Sequence, residues 1–146
     1  MLSGGALFNH LDYSFYVGSE SGDGKNDAPG GGGASFRQRL GFLKTYVERF
    51  DFIKLAPDPT VVAHAPGLDW QASSQPGKQY SICFSGKSPG WIDLRLPPGK
   101  FNYEVMCPLR GRACGQGHVT SRSLASTVRL SVPDDLEFFA IRLIAN

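Results

Sequence analysis

The sequence predicts a mainly β protein that ends in an antiparallel β-sandwich. Between residues 79 and 144, apolar and polar side chains alternate over short segments, as they do in strands with one buried face. Turn sequences rich in glycine, proline and aspartate separate these segments at intervals of about ten residues. The chain also has 18 glycines and 10 prolines among 146 residues, which fits a loop-rich β protein better than a helical bundle.

Every second side chain is apolar in each predicted strand. In the strand that begins at Trp91, Ile92 and Leu94 face one side of the sheet, and Asp93 and Arg95 face the other. The predicted strands are 61–63, 79–84, 91–96, 101–105, 127–132 and 136–144, with a weaker one at 119–121. About seven strands in about 90 residues indicate an immunoglobulin-like sandwich or a related topology.

One amphipathic helix, predicted over residues 35–50, precedes the strands. Its apolar side chains recur at spacings of three and four and form one stripe, made by Phe36, Leu40, Leu43, Val47 and Phe50. Ser35 and Gln38 form a capping box that satisfies the first free amides of the helix. A single helix of this kind must bury its stripe on a sheet or on other helices.

The first 50 residues offer few partners for that stripe. The glycine-rich loop 22–33 cannot form a packed core. The apolar segments 6–8 and 13–17 have only the helix to pack against. The N-terminal region therefore indicates the last piece of a larger domain, attached to a sandwich that can bury its own core.

Composition excludes several classes of partner and site. The net charge is +2 and the 15 lysines and arginines are scattered, so we expect no nucleic-acid partner. No apolar run approaches the length of about 18 residues that a membrane helix needs, so we expect no membrane partner. Residues 1–8 are apolar but lack a preceding positive region, so we expect no signal peptide. No cluster of ligand residues has metal-site spacing, and we expect neither metal nor cofactor.

The chain has three cysteines, Cys83, Cys107 and Cys114, and their spacing fits no metal-binding pattern. We expect all three to be free thiols. The alternative is a local bridge between Cys107 and Cys114, which leaves Cys83 as a small buried residue in a strand.

Several motifs follow one another in a recognisable order. They are Gly-Gly-Ala-Leu-Phe-Asn-His-Leu-Asp-Tyr-Ser-Phe at 4–15, Ala-Pro-Gly-Gly-Gly at 28–32, the helix end Phe-Asp-Phe at 50–52 and Leu-Ala-Pro-Asp at 55–58. This order resembles the C-terminal part of bacterial cellulase-like or apiosidase-like TIM-barrel glycoside hydrolases. The segments 77–80, 96–101 and 133–135 resemble the β-sandwich named a collagen-binding domain in such proteins.

The resemblance implies a division of the chain. Residues 1–54 correspond to the remnant of the last βα unit of the barrel, with the glycine-rich loop 22–33 and the helix 35–50. Residues 55–146 correspond to the β-sandwich accessory domain. The helix stripe is then expected to pack on the barrel, most of which lies outside this chain.

Candidate site residues follow from this division. Barrel active sites lie at the mouth, and the resemblance places Asp12 and Tyr13 there. The catalytic carboxylates of such enzymes usually lie on strands upstream, so we assign no catalytic residue to this chain. Trp91, Trp70 and Tyr80 are candidates for stacking on sugar rings, with Trp70 expected in a loop. The alternative is that these aromatic side chains cover the core or an interface.

These interpretations lead to one function and two rivals. The first is a non-catalytic C-terminal fragment of a glycoside-hydrolase-like protein, whose sandwich packs on a barrel or binds carbohydrate. Its partners are a polysaccharide and an upstream barrel domain or chain, and the family is secreted or periplasmic. The first rival is a free-standing module that binds polysaccharide or matrix protein. The second rival is an enzyme completed by a partner chain.

Overall fold

The computed structural model describes residues 16–22, 24 and 33–146. This part of the chain contains one α-helix, one short 3-10 turn at Phe52–Lys54 and nine strands. The helix α1 spans Gly33–Glu48. The strands are β1 (Ala56–Pro57), β2 (Val62–His64), β3 (Asp69–Gln75), β4 (Gln79–Ser85), β5 (Trp91–Arg95), β6 (Gly99–Cys107), β7 (Arg112–Ser121), β8 (Thr127–Ser131) and β9 (Phe138–Ala145).

The strands form two antiparallel sheets, which confirms the predicted β-sandwich. The larger sheet has the order β1-β3-β4-β9-β6-β7, and the smaller has the order β2-β5-β8. Strand alternation sends one set of side chains from each sheet into the space between them. The largest fully buried side chains there are Tyr80, Ile82, Phe84, Ile92, Leu94, Leu96, Phe101, Leu130, Phe139, Ile141 and Leu143. The core therefore lies between the sheets, as the alternation predicts.

The longer strands β3 and β7 differ from the prediction, and the predicted strands do not include the short strand β1. The segment predicted as a loop around Trp70 belongs to β3, which pairs with β4 along its whole length. Its sequence, Asp-Trp-Gln-Ala-Ser-Ser-Gln, lacks apolar alternation, so pairing with β1 and β4 determines its conformation. The strand β7 is longer than the predicted segment 119–121, because its register with β6 continues back to Arg112.

The helix packs on the outer face of the larger sheet. Tyr46 and Phe50 are buried there with Met106 and Ala140. Leu43, which belongs to the predicted stripe, is 42% exposed. Of the predicted stripe, Phe50 is buried on the sandwich and not left to face a barrel, so one side of the helix covers the larger sheet. The helix also begins at Gly33, so Ser35 lies in its first turn and not at the capping position.

Polar contacts hold the C-terminal end of the helix on the sheet. The Tyr46 hydroxyl is 2.8 Å from Ser81 Oγ, and Arg142 donates from Nη2 to the carbonyl of Arg49 at 3.0 Å. Just beyond the helix, Asp51 N donates to Gln79 Oε1, and Gln79 Nε2 donates to the Asp51 carbonyl. These contacts satisfy backbone groups that a helix end leaves without partners.

A disulfide joins Cys107 and Cys114, whose Cα atoms are 5.9 Å apart, and Cys83 is a free thiol. The expectation of three free thiols is wrong for Cys107 and Cys114, and the alternative bridge between them is present. Cys83 lies in β4, as that alternative expected, but it is partly and not fully buried. The β6–β7 hairpin pairs Cys107 with Arg112, which brings Cys114 within bonding reach across the turn.

In the described part of the chain, no helix is long and apolar enough to cross a membrane.

Candidate functional site

The solvent-facing side of the smaller sheet carries an aromatic and charged group of side chains. We call His64, Trp91, Asp93 and Arg129 the outer cluster. Because Ile92 is buried in the core, the alternation of β5 turns Trp91 and Asp93 outward. The register pairs Asp93 with Arg129 on β8 and with His64 on β2. The three strands therefore bring these four side chains together.

The indole of Trp91 lies between side chains of the two neighbouring strands, β2 and β8. The imidazole of His64 is stacked on it, with ring centroids 5.5 Å apart and an interplanar angle of 26°. The Cζ atom of Arg129 lies 3.8 Å from the centroid of the indole, a cation–π contact. Since β2 and β8 pair with opposite edges of β5, these contacts reach Trp91 from opposite sides. The indole of Trp91 therefore lies between the His64 imidazole and the Arg129 guanidinium. These three planar groups together form the surface that faces solvent.

A bidentate ion pair fixes the position of Arg129. Its Nε donates to Asp93 Oδ1 at 2.8 Å, and its Nη2 donates to Asp93 Oδ2 at 2.9 Å. The hydrogen bonds from Arg129 hold the pKa of the Asp93 carboxyl below its ordinary value, with a smaller contribution from the charge on Arg129. The Arg129 side chain is 59% exposed, and such ion pairs add little to stability.

The three aromatic residues predicted from the sequence lie in different places. Trp91 faces outward. Trp70, on β3, is partly buried and packs against the core. Tyr80 is only 2% exposed, its hydroxyl accepts a hydrogen bond from Gly77 N at 2.7 Å, and its ring contacts Phe101 edge-to-face. Tyr80 is therefore unavailable for stacking on a ligand, because its ring lies inside the sandwich. The barrel-mouth candidates Asp12 and Tyr13 lie outside the described residues.

Sequence reasoning missed His64 and Arg129. The alternation in β8 does indicate that Arg129 faces outward, because Val128 and Leu130 are apolar. The pairing of β8 and β2 with β5 brings these residues to Trp91, and the sequence does not specify that register.

A second surface lies on the outer face of the larger sheet, beside the helix. We call Leu43, Phe52, Leu55, Cys83 and Phe138 the helix-side surface. A small apolar cavity of about 50 Å³ is lined by Leu43, Phe52, Leu55 and Cys83. An adjoining cavity of about 150 Å³ is lined by Cys83, Phe138 and Trp70. The two cavities share Cys83, so the apolar surface continues from the helix to the start of β9.

The described residues contain no group of three or more histidines, cysteines and carboxylates that could hold a metal ion. Four described carboxyl groups have a resolved pKa shift, and in each the pKa is lowered. They are Glu20, Asp58, Asp93 and Asp135. A glycosidase general acid needs the opposite shift, because it must stay protonated near neutral pH.

No protein-family model matches the sequence, and no curated protein matches it. Solved structures do match. A glycoside hydrolase family 5 protein from Bacteroides vulgatus is similar with a TM-score of 0.59 and 14% identity, over 75% of this chain and 24% of that one. A structure described as a glycoside hydrolase has a TM-score of 0.55 and 14% identity, over 82% of this chain and 30% of that one. The chain thus spans less than a third of either neighbour, and its fold is similar to a part of glycoside hydrolase chains.

Proposed function

We propose that the chain is the non-catalytic accessory sandwich of a glycoside-hydrolase-like protein, which packs its helix-side surface against a catalytic barrel. The observation that carries this proposal is the similarity of the fold to a minor part of two longer glycoside hydrolase chains. A module that accounts for 24% and 30% of those chains leaves most of each chain for other domains.

The helix-side surface supports packing against another domain. The helix buries Tyr46 and Phe50 on the sandwich but leaves Leu43 42% exposed, and Ile53 in the following turn is 95% exposed. Together with Phe52, Leu55 and Phe138, these side chains place apolar area beside open cavities. Contiguous apolar area of this kind marks interaction sites on soluble proteins.

The assignment as non-catalytic is supported by how the carboxylates are held. Arg129 holds Asp93, Arg110 holds Asp135, and Glu104 contacts Arg49 at 2.7 Å. The pKa values of the Asp93 and Asp135 carboxyls are lowered by these hydrogen bonds, which suits an ion pair and not a proton donor. Recombinant chain 1–146 is expected to release no product from aryl glycosides, and measurable turnover that survives repurification would overturn this part of the proposal.

The packing surface is tested with two matched substitutions. We expect the isolated chain to bind a hydrophobic dye and to self-associate in sedimentation velocity, because no barrel covers Leu43. Leu43→Lys should reduce both effects. Leu124→Lys, at an exposed leucine in the β7–β8 connection, should leave both unchanged. A wild-type chain that excludes the dye and sediments as a single monomer would contradict the proposal.

A free-standing module that binds polysaccharide or matrix protein is the second candidate. The outer cluster favours it, because this cluster lies on the opposite side of the sandwich from the helix-side surface and needs no barrel to form. In that case Trp91→Ala should remove binding to polysaccharide without changing the unfolding midpoint by more than a few degrees. The two candidates differ in whether the helix-side surface is covered in the intact protein.

A further inference from the structure

We propose that the outer cluster binds a carboxylate-bearing saccharide, such as a chain of uronic acids, through the unoccupied edge of the Arg129 guanidinium. The saccharide part of this inference rests on the proposed function, whereas the preference for a carboxylate comes from the geometry of the cluster.

Arg129 retains hydrogen-bond donors after pairing with Asp93. A guanidinium has five N–H groups. Asp93 receives one from Nε and one from Nη2. One N–H of Nη2 and two of Nη1 remain, and one from each of these nitrogens points outward along the same edge. Two parallel donors on such an edge match the two oxygens of a carboxylate, which is why arginine predominates in planar recognition of anions.

The cluster holds that edge in place before a ligand arrives. The Arg129 guanidinium lies against the indole of Trp91, with Cζ 3.8 Å from the ring centroid. Asp93 accepts hydrogen bonds from the Nε and Nη2 edge of the same guanidinium. A free arginine side chain loses considerable rotamer freedom when it binds a ligand. Because Arg129 is already fixed, less of that entropy is lost on binding, and the affinity rises accordingly.

The charge of this face also favours an anion. Arg95 lies two residues after Asp93 on β5 and therefore on the same side of the sheet. It pairs with Thr127, which places it diagonally across from Arg129. The Arg95 guanidinium extends to the Thr60 carbonyl, with Nη1 3.5 Å from the oxygen. The strand residues of this face include two arginines and one carboxylate, so they carry a surplus of positive charge.

Hydroxyl and ring groups on the same face suit a sugar. Thr127 and Ser131 are exposed on β8 on either side of Arg129, and their hydroxyls can exchange hydrogen bonds with sugar hydroxyls. The exposed imidazole of His64, stacked on the indole of Trp91, adds ring nitrogens that can exchange hydrogen bonds with sugar hydroxyls. Hydroxyl, imidazole and guanidinium groups thus lie side by side on this face, which suits the hydroxyls and carboxylates of an acidic saccharide.

The test is titration calorimetry of the full chain with tetragalacturonate and with a mannuronate tetramer, against a neutral galactose tetramer of the same length. We expect at least one uronate to bind and the neutral sugar not to bind under the same salt conditions. Arg129→Gln should weaken uronate binding about tenfold or more, the scale of a bidentate charged contact.

Arg110→Gln is the matched control. Arg110 is also an exposed arginine in an ion pair, with Nη2 2.6 Å from Asp135 Oδ2, but none of the ring contacts described above involves it. Its substitution should leave uronate binding unchanged. Thermal unfolding of both variants checks that each is folded.

Three results would overturn the inference. They are failure of both uronates to bind, equal binding of polyglutamate, and equal loss of affinity in the Arg110 and Arg129 variants. Equal binding of polyglutamate would show attraction to any polyanion. None of these results affects the dye and sedimentation tests of the helix-side surface, so failure here is distinguishable from failure of the proposed function.

Discussion

At the scale of single residues, Trp91 shows how a surface aromatic side chain can organise polar neighbours. Its indole contacts both His64 and Arg129, and Arg129 in turn holds Asp93. None of these four side chains belongs to the core. These four positions can therefore be substituted without disturbing the packing between the sheets.

The cysteines give a direct chemical prediction. Under denaturing, non-reducing conditions the chain should react with one equivalent of thiol reagent, and after reduction with three, because Cys107 and Cys114 form a disulfide. In the folded chain, burial raises the pKa of the Cys83 thiol to about 11. Alkylation of native Cys83 at pH 8 should therefore be slow and should accelerate as the pH approaches that value. Three reactive thiols without reduction would contradict the structure.

Asp58 should make stability depend on acid pH. Partial burial raises the pKa of its carboxyl. Hydrogen bonds from Ser74 Oγ at 2.6 Å and Thr60 Oγ1 at 2.8 Å lower the pKa, and together the hydrogen bonds to this carboxyl outweigh the effect of burial, so the net shift is downward. A lowered pKa means that the folded chain binds protons less readily than the unfolded chain. This stabilisation is present above the unfolded pKa of about 3.9 and is lost as the pH falls through the folded pKa.

Asp58→Asn should therefore cost about 1 kcal/mol in the free energy of unfolding at pH 7, allowing for solvent screening. It should also make stability less dependent on pH below about 4. Urea denaturation across a pH series measures both quantities. If the stability of the Asp58→Asn variant depends on pH as that of the wild-type chain does, Asp58 is not the group that makes stability fall at acid pH.

At the scale of elements, the sequence predicts strands better than it predicts contacts. The alternation of apolar and polar residues predicts β4, β5, β8 and β9 closely. Their inward side chains are apolar, and most of their outward side chains are polar. It missed β3, whose serines and glutamines carry no such pattern. Helical periodicity placed the helix but favoured Leu43 over Tyr46 as a buried residue. Periodicity shows which helix side chains share a face. Which of these faces is buried depends on how the helix packs on the sheet, which the helix sequence alone does not specify.

Two glycine-to-alanine substitutions should have opposite effects. Gly41 lies inside α1 with open space around it, so Gly41→Ala should stabilise the chain by up to about 1 kcal/mol through helix propensity. Gly117 lies in β7 opposite Tyr103, where an added Cβ would be 2.7 Å from the ring. Gly117→Ala should destabilise the chain by about 1–3 kcal/mol. Chemical denaturation measures the free energy of unfolding of both variants. An unchanged value for Gly117→Ala would contradict the close packing against Tyr103.

Tyr46 should report how the helix is attached to the sheet. Tyr46→Phe removes the hydroxyl contacts with Ser81 Oγ and the Ile141 carbonyl and should cost about 1–2 kcal/mol. Tyr46→Ala also opens a cavity and should cost about 3 kcal/mol or more. Guanidinium denaturation gives both values, and equal stability of all three chains would mean that the helix does not pack here.

At the scale of the whole molecule, the sandwich offers two unlike surfaces on opposite sides. The smaller sheet presents the charged and aromatic outer cluster, and the larger sheet presents the helix and the helix-side surface. The sequence could predict the sandwich, since its core follows from local patterns. It could not predict the outer cluster, because His64, Trp91 and Arg129 come from strands that are distant in the chain and meet only through sheet register.

We propose that this sandwich belongs to a glycoside-hydrolase-like protein whose barrel covers the helix-side surface. The most direct measurement is to sequence the DNA immediately upstream of the Met1 codon and to translate all three frames. If a barrel precedes the sandwich, we expect this DNA to encode repeated strand–helix units, either in the same frame or after a single frame shift. Stop codons in every frame next to a promoter would contradict it and would favour a free-standing binding module.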